Sequence, residues 1–176
     1  ASSAASDVYK RQGWNNTFNY KNFDFSFFVV GFHGFDIYNA THQMGYNLIK
    51  SQQMAGVTPM RELLNRWTPT NTNTDIPGFV KGGTENKDFF STRFVENGSF
   101  IKMKSITLGY TLPEATCRSL GINNLRVYAS VQNPFHITKY SGLDPEATMG
   151  SPLVQGVDWG AYPNSRNYLI GLNFSF

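Results

Sequence analysis

The sequence has little charge, one cysteine and no long apolar run, and each shortage excludes a class of protein. Only 15% of its 176 residues are charged, against about 25% in an ordinary soluble domain. Its one cysteine, Cys117, cannot form an intrachain disulfide. No stretch approaches the roughly 18 to 20 apolar residues of a membrane-spanning helix. The basic residues give a net charge of +3 but form no run, so nucleic-acid binding is not indicated.

Aromatic and small polar residues are abundant instead. Phe, Tyr and Trp make up 15% of the chain, with 15 Phe and 9 Tyr, and Asn, Thr, Ser and Gly supply the polarity. This composition fits an all-β chain with polar loops. It equally fits the wall of a membrane β-barrel, where lipid-facing and lumen-facing side chains alternate.

The first twelve residues differ from the rest of the chain. They read ASSAASDVYKRQ, which is rich in Ser and Ala and lacks the apolar core of a secretory signal. We interpret residues 1–12 as a non-native remnant and expect the structural part to be residues 13–176.

Five segments alternate between bulky apolar and small or polar residues, and this period of two predicts β-strands. The predicted strands are residues 13–20, 23–34, 100–113, 125–138 and 167–176. Only Lys21 and Asn22 separate the first two, which predicts a tight hairpin. The other connections are long (35–99), short (114–124) and long (139–166).

Alternating short and long connections are typical of a transmembrane barrel, with short turns on the periplasmic side and long loops outside. We expect a short helix in the first long loop, within residues 47–67, with Pro59 at a helix start. Five strands cannot close a barrel, since the smallest have about eight. The chain is therefore expected to be the carboxyl-terminal piece of something larger.

Four blocks of sequence resemble a known family. FNYKNFDFSF, FIKMKSITLGYTLP, LRVYASVQNPFHITKYSGLDPE and GVDWGAYPNSRNYLIGLNFSF together resemble the carboxyl-terminal end of SusC/RagA-type TonB-dependent outer-membrane transporters. The resemblance extends over almost all of residues 13–176. It is most specific in SVQNPFHITKYSGLDPE and YPNSRNYLIGLNFSF.

This resemblance implies a fold, a location and a set of partners. The chain would supply the last five antiparallel strands of an all-β transmembrane barrel of about 22 strands, in the outer membrane of a Gram-negative bacterium. The plug and TonB box would lie upstream. The whole transporter would import oligosaccharides or peptides, driven by the TonB complex and closed by a SusD-like surface lipoprotein. Neither an enzyme activity nor a cofactor is implied.

Two other interpretations remain open from the sequence. The alternation of residues alone would also allow a soluble carbohydrate-binding β-sandwich. A porin-like barrel without TonB coupling would show the same strands. The sandwich should be soluble by itself, whereas a barrel segment should require lipid, detergent or its missing strands.

Polar residues that could carry chemistry are few. His33, His42 and His136 have no metal-ligand spacing with one another or with Cys117, so we expect no metal site. In GLDPE we expect a turn, with Pro145 fixing the backbone and Asp144 bonding it. A pair of catalytic carboxylates among Asp144, Glu146 and Asp158 is the less favoured interpretation.

Aromatic residues of the outer loops are the candidate contacts for a ligand or partner, although packing of the loops is the more common role of such rings. These candidates are Trp67, Tyr140, Trp159 and Tyr162. Rings at the strand ends fit the girdle at the membrane interface: Tyr20, Phe23, Tyr110 and Phe176. Polar strand residues are expected to face the lumen: Arg126, Gln132 and Asn173.

The last predicted strand has an unbroken apolar face: Tyr168, Ile170, Leu172, Phe174 and Phe176. By resemblance to its family, this strand would be read by the outer-membrane assembly machinery, which pairs with a closing strand that ends in an aromatic residue. The apolar face would then contact the lipid bilayer.

Overall fold

The computed structural model describes residues 10–46, 59–78, 91–119, 121–149 and 156–175. These residues fall into two units. The first, which we call the sheet unit, comprises Ala1–Phe35, Gly98–Tyr140 and Pro163–Phe176. The second, which we call the loop unit, comprises Asp36–Asn97 and Ser141–Tyr162. The strands in chain order are β1 (Lys10–Tyr20), β2 (Phe23–His33), β3 (Asp36–Asn39), β4 (Val95–Asn97), β5 (Phe100–Thr111), β6 (Asn124–Gln132), β7 (His136–Thr138), β8 (Val157–Asp158) and β9 (Asn167–Ser175).

The sheet unit is built on one antiparallel sheet in the order β1-β2-β5-β6-β9, with β7 also paired to β5. Neighbouring long strands follow one another around the sheet without crossing, as in an up-and-down barrel wall. β1 and β2 are joined by Lys21 and Asn22 alone, with Lys21 in the left-handed region at φ 53°. The Asn22 amide donates to the Thr111 carbonyl at 2.8 Å. This contact fastens the hairpin to β5.

One face of this sheet is apolar, because the register keeps like residues opposite each other. The other face is polar near the β1–β2 turn and apolar farther along, where Val30, Phe32 and Phe100 are buried. On the apolar face the cross-strand pairs include Phe18 with Phe25, Phe27 with Ile106, Leu108 with Ala129, and Val127 with Leu172. On the polar face Thr17, Ser26, Thr107 and Ser130 lie opposite one another on four adjacent strands. Thr107 and Ser130 are hydrogen-bonded at 2.8 Å.

The observed strands differ from the predicted ones in several of their bounds. β1 begins at Lys10, which pairs with His33. Residues 10–12 therefore belong to the sheet, although the structural part was expected to begin at residue 13. β2 and β5 stop at His33 and Thr111. The single strand predicted over 125–138 is two, β6 and β7, because Asn133 adopts φ 49° and Pro134 has no N–H for the ladder.

Helices are short. Within the described residues they are α1 (Ala40–Tyr46) and α2 (Glu114–Ser119), with 3-10 helices at Arg61–Asn65, Thr92–Phe94 and Ala147–Met149. Neither described α-helix is long or apolar enough to cross a membrane. Most of the segment in which a helix is expected, residues 47–58, lies outside the described residues, so that expectation stays a prediction. Pro59 is followed by the 3-10 helix at Arg61–Asn65, and α1 lies in the same long loop just before residue 47.

The loop unit has its own small sheet, in the order β4-β3-β8. Its core is apolar: Ile37 and Ala40 are fully buried and Phe94 is 2% exposed. The Phe94 ring meets the edges of the Tyr38 and Tyr46 rings, with centroids 6.4 and 5.8 Å away. These contacts hold α1 and the 92–94 turn together.

Candidate functional site

A polar cluster centred on His42 organises the loop unit. Asn39, at the end of β3, caps α1 by accepting a 2.8 Å hydrogen bond from the His42 N–H through its side chain, the usual role of Asn before a helix. The His42 ring then lies between two carboxylates. Its Nε2 is 3.2 Å from Glu62 and its Nδ1 is 3.5 Å from Glu96. The histidine thereby connects α1 to the 61–65 helix and to β4.

Glu96 is the most buried carboxylate of this cluster, with an 18% exposed side chain. Burial alone would raise its pKa. Hydrogen bonds from the Ser141 N–H (2.8 Å), the Ser141 hydroxyl (2.7 Å) and the Asn39 amide (2.9 Å) outweigh that effect, so the pKa of Glu96 lies below its ordinary value. The ionised carboxylate is what holds Ser141 against β4.

Glu62 is more exposed and shares the other side of His42. The Tyr46 hydroxyl donates to Glu62 Oε2. This bond, with that from His42, lowers the pKa of Glu62. For Tyr46, burial first and then the Glu62 carboxylate raise the pKa to about 12. Both partners thus favour the protonated tyrosine beside the ionised glutamate.

The acidic residues of the second long loop form turns. Asp144 is 4% exposed and accepts the Glu146 N–H at 3.0 Å through its side chain, which confirms the turn predicted at GLDPE. Asp158 accepts the N–H groups of Gly160 and Ala161 at 2.8 and 3.1 Å. Within the described ranges, no three His, Cys, Asp or Glu side chains converge to hold a metal ion.

Four aromatic side chains of the loops were expected to contact a ligand or a partner, and they differ in exposure. Trp67, Trp159 and Tyr162 belong to the loop unit and are 46, 60 and 88% exposed. Tyr140 belongs to the sheet unit and is 5% exposed. Its buried ring offers no face to a ligand, so Tyr140 is corrected from a contact residue to a core residue.

The polar face of the sheet holds an ion pair that the sequence analysis did not identify. Arg126 on β6 donates to Asp24 on β2 through Nε (2.9 Å) and Nη2 (2.5 Å). Its guanidinium also lies 5.1 Å from the centre of the Tyr128 ring. The pattern of alternation placed Arg126 on this face, but pairing across an intervening strand has no sequence signature.

Glycines make room for this cluster. A Cβ at Gly109 would collide with the Asp24 carboxylate and the Arg126 guanidinium, and one at Gly171 would collide with the Tyr128 ring. Both glycines belong to the same row across the sheet, since Asp24 lies opposite Gly109, Gly109 opposite Tyr128, and Tyr128 opposite Gly171.

The side chains of the apolar face are exposed as far as β1 and β9, the two outer strands of the sheet. On β9, Tyr168, Ile170, Leu172 and Phe174 are 70, 85, 60 and 61% exposed. Phe176, the fifth residue expected on this face, lies outside the described residues. Trp14, Phe18 and Tyr20 on β1 are 58, 55 and 71% exposed. Side chains this exposed are unlike the inward-facing side chains of a β-sandwich, which are packed between two sheets.

Comparison with known proteins shows which receptors this chain resembles. The chain is 36% identical to a TonB-dependent receptor of Formosa agariphila over 93% of its own length. It is 33% identical to the TonB-dependent receptor SusC of Bacteroides thetaiotaomicron, again over 93% of the chain. The chain matches the carboxyl-terminal part of a TonB-dependent receptor barrel. No family model matches it.

The chain is also similar to solved structures. The chain superposes on the RagAB peptide importer in its closed-closed state with a TM-score of 0.77, at 28% identity over 94% of this chain and 17% of that one. It spans only 16 and 15% of the two receptors named above. The predominance of antiparallel β-strands among the described residues agrees with this match.

Proposed function

We propose that the chain forms the carboxyl-terminal wall and outer loops of a TonB-dependent importer in the outer membrane of a Gram-negative bacterium. The observation that carries this proposal is the apolar face of the main sheet, which is exposed from Trp14 on β1 to Phe174 on β9. Monomeric soluble proteins rarely expose a continuous apolar patch of that extent. Lipid is the environment that such a face fits.

The polar face then lines the barrel interior. Thr17, Ser26, Thr107 and Ser130 run across four strands there, and the Asp24–Arg126 pair satisfies the two charges of that region with each other. The interior of a transmembrane β-barrel is polar. Arg126, Gln132 and Asn173 remain assigned to it, as the alternation of the sequence predicts.

We further propose that the whole receptor takes up oligosaccharides or peptides together with a SusD-like surface lipoprotein, energised by the TonB complex. The named relatives support this: one is SusC itself and another belongs to a peptide importer. The exposed rings of Trp67, Trp159 and Tyr162 provide contact area for a ligand or for the lipoprotein.

The final strand has a second role in this proposal. β9 pairs with β6 and, among the described residues, has no partner on its other edge. A free edge with a uniform apolar face is what an assembly machine that works by strand pairing can bind, and closure of the barrel later removes the edge. Tyr168, Ile170, Leu172 and Phe174, with Phe176 beyond the described part, would be the residues it reads.

Uptake by cells that lack the parent receptor tests the function. We expect deletion of its gene to abolish TonB-dependent uptake of either a peptide mixture or an oligosaccharide mixture, and complementation to restore it. The parent receptor should fractionate with the outer membrane. Unchanged uptake of both mixtures, or recovery of the parent as a soluble protein, would overturn the proposal.

A further inference from the structure

A pocket of about 270 Å³ lies within the loop unit, beside the His42 cluster. Its polar wall includes Thr41, Glu62, Ser141 and Asp158, and its apolar wall includes Met60 and Leu143. Asn39 and His42 also line the pocket. The Asn39 amide donates to Glu96 and Ser141, and the His42 ring directs both nitrogens at the carboxylates of Glu62 and Glu96.

The lining carries two carboxylates, Glu62 and Asp158, and the ionisable ring of His42, which lies between the carboxylates of Glu62 and Glu96. No Lys or Arg is among the described residues that line the pocket. Asp158 is 6% exposed, and its position is fixed by the N–H groups of Gly160 and Ala161. Glu62 has a 57% exposed side chain at the opening.

The hydroxyl donors of the lining are already used inside the protein. Ser141 donates its hydroxyl to Glu96 at 2.7 Å, and Thr41 donates to the Asp158 carbonyl at 3.3 Å. Each hydroxyl oxygen retains acceptor capacity after donating its single hydrogen. The pocket thus offers acceptors and negative charge, and it is complementary to a ligand with several donors and positive charge.

The apolar wall of the pocket favours a ligand that has an aliphatic part. Leu143 is 68% exposed at the rim, and Met60 is an unbranched side chain that adapts to aliphatic chains. We propose that the pocket binds a primary ammonium group on an aliphatic stem, as in the lysine side chain of a peptide. This inference rests on the proposed function and narrows it, since it favours basic peptides among the substrates.

Binding of small probes to the purified full-length parent receptor in detergent tests the inference. In calorimetric titrations, Nα-acetyl-lysine amide should bind about tenfold or more tightly than its uncharged analogue Nα-acetyl-norleucine amide, as expected for a charge-assisted hydrogen bond. Glucosamine carries an ammonium group without the stem and should bind more weakly than the lysine probe. Equal binding of the lysine and norleucine probes overturns the ammonium site, and equal binding of glucosamine overturns its assignment to lysine.

Variants locate the site. Glu62→Gln should weaken binding of the lysine probe about tenfold, and Leu143→Ser should weaken it by a smaller factor through the stem. Glu114→Gln is the matched control, because Glu114 is 72% exposed and paired with Arg118 in the sheet unit. Heat-modifiable gel migration establishes that each variant is folded. If Glu62→Gln and Leu143→Ser both bind like the parent, the pocket is not the site.

The two proposals fail in different ways. A parent receptor that imports its substrate but does not distinguish the lysine and norleucine probes refutes the pocket inference alone. A parent that binds the lysine probe as described, yet supports no TonB-dependent uptake, refutes the proposed function.

Discussion

Arg126 and Asp24 form a two-pronged ion pair although β5 lies between their strands. The contacts are 2.9 Å from Nε to Oδ1 and 2.5 Å from Nη2 to Oδ2, and they pass above Gly109. Side-chain exposures of 28 and 25% place the pair between the surface and interior cases. Such a pair braces three strands at once.

A double-mutant cycle in the full-length receptor measures this brace. We expect Asp24→Asn and Arg126→Gln each to lower the midpoint of unfolding in detergent, since each leaves one charge without its partner. The double variant should be less destabilised than the sum, with a coupling of about 1 kcal/mol. Additive effects would show that the two side chains act independently.

Gly171 is predicted to be required by the Tyr128 ring. Gly171→Val should destabilise the sheet by on the order of 1–3 kcal/mol through overpacking, and Tyr128→Ala in the same molecule should recover part of that loss. Gly31→Val is the control, because a Cβ there meets nothing closer than 4.0 Å. The measurement is the unfolding midpoint of the assembled receptor. If Tyr128→Ala gives no recovery, the collision is not the cause.

The sheet was largely predictable from sequence because its signal is local. Alternation placed all five long strands, and the two-residue link at Lys21 and Asn22 fixed the first register. One detail was not predictable. Phe28 pairs with Ser105 but Val29 pairs with Met103, so Lys104 is an extra residue on β5. This bulge moves Ile101 and Met103 onto the same face as Ile106 and Leu108, against a strict period of two.

The loop unit was not predictable for a related reason. Asn39, Glu96 and Ser141 are distant in sequence, and nothing in a single sequence states that they meet at 2.7–3.2 Å. Short helices such as α1 and α2, of 7 and 6 residues, are too brief for a helical period to be visible. Tyr140 was misassigned because burial of a loop ring depends on its tertiary neighbours.

Substitution by arginine is predicted to be far more harmful on the apolar face of the sheet than on the polar face. Val127→Arg should strongly reduce the yield of assembled receptor, because Val127 lies on the apolar face and an arginine near the bilayer centre costs about 2–4 kcal/mol. Ser130→Arg, three residues along the same strand and on the polar face, should be much less harmful. Heat-modifiable gel migration reports the yield. Equal losses, or the reverse order, would show that the faces are assigned wrongly.

Acid is predicted to loosen the loop unit through Glu96. Because the folded-state pKa of Glu96 is below its ordinary value of 4.5, its stabilising effect is present above pH 4.5 and is lost as the pH falls through the lowered pKa. We expect proteolysis within residues 36–46 and 91–97 of the full-length receptor to accelerate in that pH range. It can be measured directly with an acid protease. Alternatively, a covalent reagent traps the opened state during a brief acid exposure, and the digestion is then done at neutral pH.

Glu96→Gln tests whether this carboxylate is the cause. The variant should be cleaved faster than the parent at neutral pH and should show a smaller further change on acidification. Glu114→Gln, an exposed carboxylate of the sheet unit, should behave like the parent throughout. An unchanged acid response in Glu96→Gln would assign the loosening to another group.

The final strand permits a test of assembly with two neighbouring residues. Phe174 is on the apolar face and 61% exposed, whereas Asn173 lies opposite Arg126 on the polar face. Both substitutions to Ala leave the backbone hydrogen bonds of β9 available, and they alter side chains on opposite faces of the strand. We expect Phe174→Ala to lower the amount of receptor in the outer membrane while synthesis and export continue, and Asn173→Ala to have little effect. The ratio of surface-exposed barrel to periplasmic precursor measures this. Assembly of the Phe174 variant at the parental rate would mean that the machinery reads the free backbone edge of β9 and not its apolar face.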